Sequence, residues 1–289
     1  MIYNSYQIAE IIGVNVSTIK RWTDLGKLKC DITVGGHRKF YLNHITEFIK
    51  SDPRYSTNLN LNYLVGKNKS LIESIDNFHS SSLITYCYKY LIQGNTEKFL
   101  SLNNSLMLKG YHIYSIFDDI LLPVLDKIGD EWKKGNLTIS EEHLATEIIR
   151  KFLSNLNFNY VAKNSSYNAF CFTLIDDKHD LALFMGESIL NENKKIKTFN
   201  LGASLPVEDF ITLSKKTLPD IIFISIIYIN DIKLINKQIN LLCDYFSDKE
   251  KTKIFLRGGG ANMLELKNNN YELVLSFKDF QSTIDIFFK

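Results

Sequence analysis

Apolar positions along the chain fall into three regimes. Up to about residue 54 they form short helical groups: Ile8, Ala9, Ile11 and Ile12 make one face of a helix stopped by Gly13. A second helix opens near Asn15 to Ser17, carries Thr18 to Leu25 and ends at Gly26. Lys29 to Tyr41, with Gly35-Gly36 at its centre, has the turn chemistry of a hairpin. Asp52 to Lys69 is polar, contains Pro53 and has weak periodicity, so 55–69 is expected to be a linker. From Ser70 helical spacing returns, at Leu71, Ile72, Ile75 and Phe78 and then at Leu83, Tyr86, Cys87, Tyr90 and Leu91. Further helices are predicted over Phe99 to Leu108, Ile113 to Lys134 and Ser140 to about Tyr160, which makes 70–165 a helical bundle.

Beyond 165 the pattern alternates. Strands are predicted over 169–175, 196–201, 221–225, 253–256 and near 273–275. The helices between and after them cover 181–191, 207–216, 231–246, a stretch after Gly260 and the C-terminus. Short strands alternating with helices give a five-stranded parallel sheet of the flavodoxin-like class over 166–289. The expected architecture is therefore multidomain α and α/β: a winged helix-turn-helix at 1–54, a linker, a helical bundle and a Rossmann-like domain.

Composition narrows this little. With 45% hydrophobic and 23% charged residues the chain is an ordinary globular one, and 34 Lys plus Arg against 32 Asp plus Glu leave no global charge to attract nucleic acid. No apolar run is long enough for a membrane span, no secretory signal opens the chain, and the four cysteines match no metal spacing. A cytoplasmic protein with reduced thiols is expected.

Locally the balance differs. Residues 1–54 hold eight Lys plus Arg against five Asp plus Glu, concentrated at Lys20-Arg21, Lys27, Lys29 and His37-Arg38-Lys39. Two short helices with a glycine-containing turn and a following hairpin make a winged helix-turn-helix, and these charges lie on its second helix and wing. The opening Tyr-x-Ile-Ala-x-x-x-Gly-Val, the helix Thr-Ile-Lys-Arg-Trp, the Leu-Gly-Lys-Leu after it and the wing Gly-Gly-His-Arg-Lys-Phe resemble the MerR family. The resemblance implies binding to double-stranded operator DNA. Thr18, Lys20 and Arg21 would then lie near bases and phosphates of the major groove, with His37, Arg38 and Lys39 on the wing clamping the flanking backbone. Trp22 is expected in the core.

Two further constellations carry chemistry. Trp132, nine residues and then Glu142-His143 flank the connection between two bundle helices, with Gly135 as helix stop and Ser140 as expected N-cap. Asp177-x-His179 sits where the first strand of the α/β domain gives way to a helix, at the sheet edge where such domains bind ligands. An imidazole that ligates a metal through Nε2 needs a partner for its Nδ1 proton, and Asp177 is near enough along the chain to supply it. Ser225 ends the third strand, Gly258-Gly259 follow the fourth, and Leu201-Gly202-Ala203 with Pro206 follow the second.

Together these resemble the cobalamin-binding domains and helical cap of light-responsive regulators of the CarH and LitR type. The resemblance implies cobalamin, most simply adenosylcobalamin, with His179 on cobalt and Asp177 behind it. Ser225 would bond the displaced base in a deep slot, and Gly202, Gly258 and Gly259 would let its tail pass. Trp132, Glu142 and His143 would cap the upper face. It also implies a repressor, not an enzyme, that binds its operator as a homo-oligomer, dimer or tetramer, until light breaks the carbon–cobalt bond. Two residues depart from the pattern: Ala182 stands where the histidine turn has glycine, and Lys133 stands where photoreceptor members carry a second cobalt-binding histidine. The alternatives are a MerR-type regulator whose sensor domain is degenerate or reads another ligand, and a corrinoid methyl-carrier or enzyme subunit. A phosphorylated receiver domain fits less well, because Ser225 occupies the place of its third-strand aspartate.

Overall fold

The computed structural model describes residues 2–52, 54–158, 165–248, 251–267 and 269–288 and divides into two compact units, Met1–Asn159 and Tyr160–Lys289. In the first unit Asn4 starts α1 (Ser5–Ile12) through a reciprocal pair: its side chain accepts from Gln7 N, and the Gln7 side chain accepts from Asn4 N. Gly13, in the left-handed conformation, ends that helix. Helix α2 (Val16–Asp24) follows, then a small antiparallel sheet of β1 (Ile2–Tyr3), β2 (Asp31–Ile32) and β3 (Arg38–Tyr41) in the order β1-β3-β2, and α3 (Leu42–Ser51). Ile8, Ile11, Ile19, Phe40 and Ile45 fill the core between them. Trp22 belongs to that core, with its ring 4.8 Å from Phe48 and 5.1 Å from Tyr55.

The stretch expected as a linker is folded onto this domain. It forms two short helices, α4 (Arg54–Thr57) and α5 (Leu61–Val65); Tyr55 and Leu64 from these helices and Leu59 between them pack on the helix-turn-helix core. One or two apolar residues per turn suffice for a one-turn helix lying on a larger surface, and so short a run shows no periodicity. The bundle comprises α6 (Lys69–Asp76), α7 (Ser80–Ile92), α8 (Thr96–Leu108), α9 (Ile113–Ile116), α10 (Leu122–Lys133) and α11 (Ile139–Phe158). Leu108 of α8 enters the core of the helix-turn-helix, and Asn104 donates to the Tyr3 hydroxyl at 3.3 Å, so DNA-binding domain and bundle form one unit.

Where one helix was expected over 113–134, a π turn at Phe117–Leu121 separates α9 from α10, and the N–H of Leu122 reaches Phe117 O. Pro123 supplies the reason. It has no N–H for the carbonyl four residues earlier, so the ladder shifts register there. Helix α11 is described to Phe158; its expected end at Tyr160 falls within 159–164, which lie outside the described residues.

The second unit is a parallel sheet in the order β5-β4-β6-β7-β8: β4 (Tyr167–Leu174), β5 (Ile196–Leu205), β6 (Ile221–Ser225), β7 (Lys253–Arg257) and β8 (Glu272–Leu273). Helices α12 (Leu181–Asn191) and α15 (Phe277–Phe287) pair on one face, and α13 (Val207–Ser214) and α14 (Ile232–Phe246) on the other. Every residue of β6 is buried, as a central parallel strand requires. Phe172, Ile222, Ile224 and Leu256 pack toward α14, whereas Phe223 stacks on Phe280 of α15 and Phe255 meets it edge-on.

Three departures from expectation bear on the sheet's edges. Strand β5 continues to Leu205, so Leu201-Gly202-Ala203 lies within it, at a place where its pairing with β4 slips register. Gly202 is left-handed there (φ 81°), and Pro206 caps α13. The segment after Gly258 is a 3-10 turn, Gly259–Met263, and the last strand is Glu272–Leu273. The topology is the flavodoxin-like one, and it puts the ends of β4, β6 and β7 side by side at one carboxyl edge.

Candidate cofactor site and DNA-facing surface

Asp177 and His179 lie on that edge in the loop between β4 and α12. Asp177 is 1% exposed. Its Oδ1 accepts from His179 Nδ1 at 2.8 Å and from His179 N at 3.0 Å, while Oδ2 accepts from Ile227 N at 2.7 Å and Tyr228 N at 3.1 Å. Burial pushes its carboxyl up, but the bond from the His179 side chain and those from the backbone of His179, Ile227 and Tyr228 outweigh it and hold the group below the ordinary aspartate value. The carboxylate is therefore charged at neutral pH and accepts a hydrogen bond from the Nδ1–H, which leaves the imidazole lone pair on Nε2. The His179 side chain is 60% exposed, so the ring stands at the surface of the edge while its partner is buried.

Beside it, Ser225 is fully buried and pairs in register with Thr173 and Arg257. Its hydroxyl has no hydrogen-bond partner among the described residues. A buried hydroxyl without one costs roughly 1–3 kcal/mol, so this position is built for a polar group brought from outside. Gly258 has φ 111°, and a Cβ there would lie 2.3 Å from Ile226 O, so the protein's own loop packing demands glycine. At Gly259 an added Cβ meets nothing within 4 Å. Of the two glycines, then, the second borders open space. Ala182 is buried in the first turn of α12, so its extra methyl is accommodated inside the protein. A donor imidazole with a fixed tautomer, an orphaned buried hydroxyl and an open glycine fit the lower face and tail of a cobalamin.

Sequence reading missed four contributors. Thr173 Oγ1 donates to Asp177 O and accepts from Ser204 N, and Ser204 Oγ accepts from Asp176 N. Ile227 and Tyr228 act through backbone amides, which leave no trace in residue type.

In the first unit, Trp132 lies in the last turn of α10 and Glu142 and His143 near the start of α11, on either side of the connection 134–138. Gly135 is left-handed and stops α10 as expected. The N-cap of α11 is Thr138 instead of Ser140: Thr138 Oγ1 accepts from Glu141 N, and the Glu141 carboxylate accepts from Thr138 N. Trp132 is 45% exposed, unusual for an indole. His143 Nδ1 is hydrogen-bonded to Glu142, whose other oxygen accepts from Thr146.

On α2, Lys20 and Arg21 are exposed and Thr18 is half-buried, on the side away from Ile19 and Trp22. His37 and Lys39 are exposed on the wing. Arg38 differs: half-buried, its guanidinium meets Asp24 at the end of α2 at 2.5 Å.

Residues 3–48 match the family described as MerR HTH family regulatory protein, and residues 84–157 match the B12 binding domain family. The chain is 26% identical over 110 residues to the HTH-type transcriptional repressor CarH of Myxococcus xanthus, a match that covers 38% of this chain and 36% of that one. The match thus spans about a third of the relative's length. In structure, the chain resembles a monomethylamine corrinoid protein of Methanosarcina barkeri with a TM-score of 0.55 at 12% identity, over 70% of this chain and 97% of that one. A MerR-type helix-turn-helix followed by a cobalamin-binding region is the order of parts in this chain.

Proposed function

We propose that the protein is a cobalamin-dependent transcriptional repressor, not an enzyme. It binds operator DNA through α2 and the wing and binds cobalamin at the carboxyl edge of the second unit. The observation that carries this reading is the Asp177–His179 pair beside the orphaned Ser225 hydroxyl. His179 would present Nε2 to cobalt with Asp177 fixing its tautomer, Ser225 would donate to a polar group of the cofactor, and Gly259, with Gly202 and Gly258, would leave room beside it. On the first unit, Trp132, Glu142 and His143 are the residues assigned to cofactor contact. Thr18, Lys20, Arg21, His37 and Lys39 are assigned to DNA.

The finer reading is adenosylcobalamin in a cytoplasmic homo-oligomer that holds the operator in the dark. When bound, this cofactor supplies a carbon–cobalt bond that light breaks. Lys133, exposed at the end of α10, carries an ammonium without a lone pair, so it cannot take the place of a second cobalt-binding histidine. The test is one sample mixed with adenosylcobalamin, followed by absorption, size-exclusion and gel-shift measurements before and after green light. A bound histidine-on spectrum with operator binding lost on illumination is expected; no bound corrinoid overturns the reading. Bound corrinoid with an oligomer and DNA affinity indifferent to light overturns its photoreceptor part alone.

A further inference from the structure

Asp177 is held at two ends. Its carboxylate is fixed by the amides of Ile227 and Tyr228, and its carbonyl accepts from Thr173 Oγ1, a fully buried hydroxyl near the end of β4. The same Thr173 oxygen accepts from Ser204 N at 2.8 Å, and Ser204 Oγ accepts from Asp176 N at 3.0 Å. Asp176 (φ 67°) and Ser204 (φ 59°) are both left-handed without being glycine, and they meet across β4 and β5 beyond the point where those strands lose register. Non-glycine residues hold that conformation only where the surroundings over-determine it, and such strain collects at functional sites. Here three hydrogen bonds supply the determination: two end on the histidine turn, at Asp177 O and Asp176 N, and the third ties Ser204 to Thr173.

We propose that Thr173 and Ser204 are positioning residues for the axial ligand: they set the height of the Asp177–His179 turn above the sheet and so the direction in which Nε2 points. The proposal rests on the cobalamin reading. A carboxylate held only by its own turn would swing with the loop. Here the Asp177 carbonyl is anchored through Thr173 to β4, the neighbouring Asp176 N–H through Ser204 to β5, and the carboxylate through two amides to the segment after β6, so the turn is tied to the ends of three strands. The imidazole inherits that rigidity through its 2.8 Å bond.

Electron paramagnetic resonance of the full chain loaded with cob(II)alamin tests this. In protein labelled with 15N-histidine, an axial protein imidazole splits the cobalt lines into doublets, whereas the cofactor's own 14N base gives triplets. Wild type is expected to show doublets; triplets or no splitting there overturn the cobalamin reading at His179 and this proposal with it. Given doublets in wild type, Thr173→Val and Ser204→Gly are each expected to lose part of the doublet signal and to weaken cobalamin binding about tenfold, with Thr173→Ser restoring both. Ser204→Gly removes the left-handed strain along with the hydroxyl, so its melting temperature without cofactor is expected to hold while ligation weakens, which separates positioning from folding. Full doublets and wild-type affinity in both variants overturn the proposal.

Discussion

Single residues on the carboxyl edge divide into those the protein needs for itself and those left for a ligand. Gly258→Ala puts a methyl 2.3 Å from Ile226 O and forces a side chain into φ 111°, so it is expected to destabilise the cofactor-free protein by about 1–3 kcal/mol, read from urea unfolding. Gly259→Ala meets nothing and is expected to leave that curve unchanged while weakening cobalamin in an equilibrium titration; equal melting losses in both variants would contradict the division. The cysteines divide in a similar way. Burial pushes the thiol of Cys87 up to about 12 and that of Cys243 to about 11, and it raises Cys171 well above the ordinary range. Cys30, half-buried in the DNA-binding domain, is raised by burial, with Arg38 opposing and Asp31 and Asp24 adding. Alkylation of the native protein at pH 8, followed by mass spectrometry, is therefore expected to modify Cys30 first and the other three only after unfolding.

Among elements, the wing and α2 are joined by a contact that involves one of the residues expected on DNA. Sequence pattern puts Arg38 on the DNA backbone, yet its guanidinium is engaged by Asp24. Lys39→Ala, which removes an exposed cation from the same strand, is expected to lower the slope of log affinity against log salt by about one. Arg38→Ala is expected to weaken operator binding with a smaller change of slope, because the loss is one of wing placement. Equal slope changes in the two variants would return Arg38 to the phosphates. Arg21→Ala, on the exposed face of α2, is expected to cost ~1–3 kcal/mol of operator binding if the side chain reads a base.

At the scale of the whole molecule, each unit has its own core, so the cofactor's effect can be located. Cobalamin at a hundred times its Kd is expected to stabilise the unit that binds it by about 2.7 kcal/mol, visible as a shift in urea unfolding that His179→Ala abolishes. A shift of the same size in His179→Ala would place the main cobalamin contact elsewhere. Because α5 and α8 pack the helix-turn-helix onto the bundle, DNA-binding domain and bundle are expected to unfold together. A separate early transition for residues 1–54 would show that this packing is weak.

Much of this was legible in the chain because it depends on neighbours in sequence. The spacing of apolar residues gave the three regimes. Gly13 and Gly135 mark helix ends through dihedral preferences that act within a few residues, and Asp177 and His179 are close enough that their hydrogen bond is a property of one turn. What lay beyond reach depends on contacts far apart along the chain. The packing of α4 and α5 needs a surface supplied by Ile11 and its neighbours, and the pairing of Arg38 with Asp24 needs the wing folded back on α2. The support of Asp177 comes from a threonine in β4, a serine in β5 and two backbone amides after β6. Residue type fixes which groups can ligate or donate; only the parallel sheet, by bringing the ends of three strands together, decides which of them act on the same histidine.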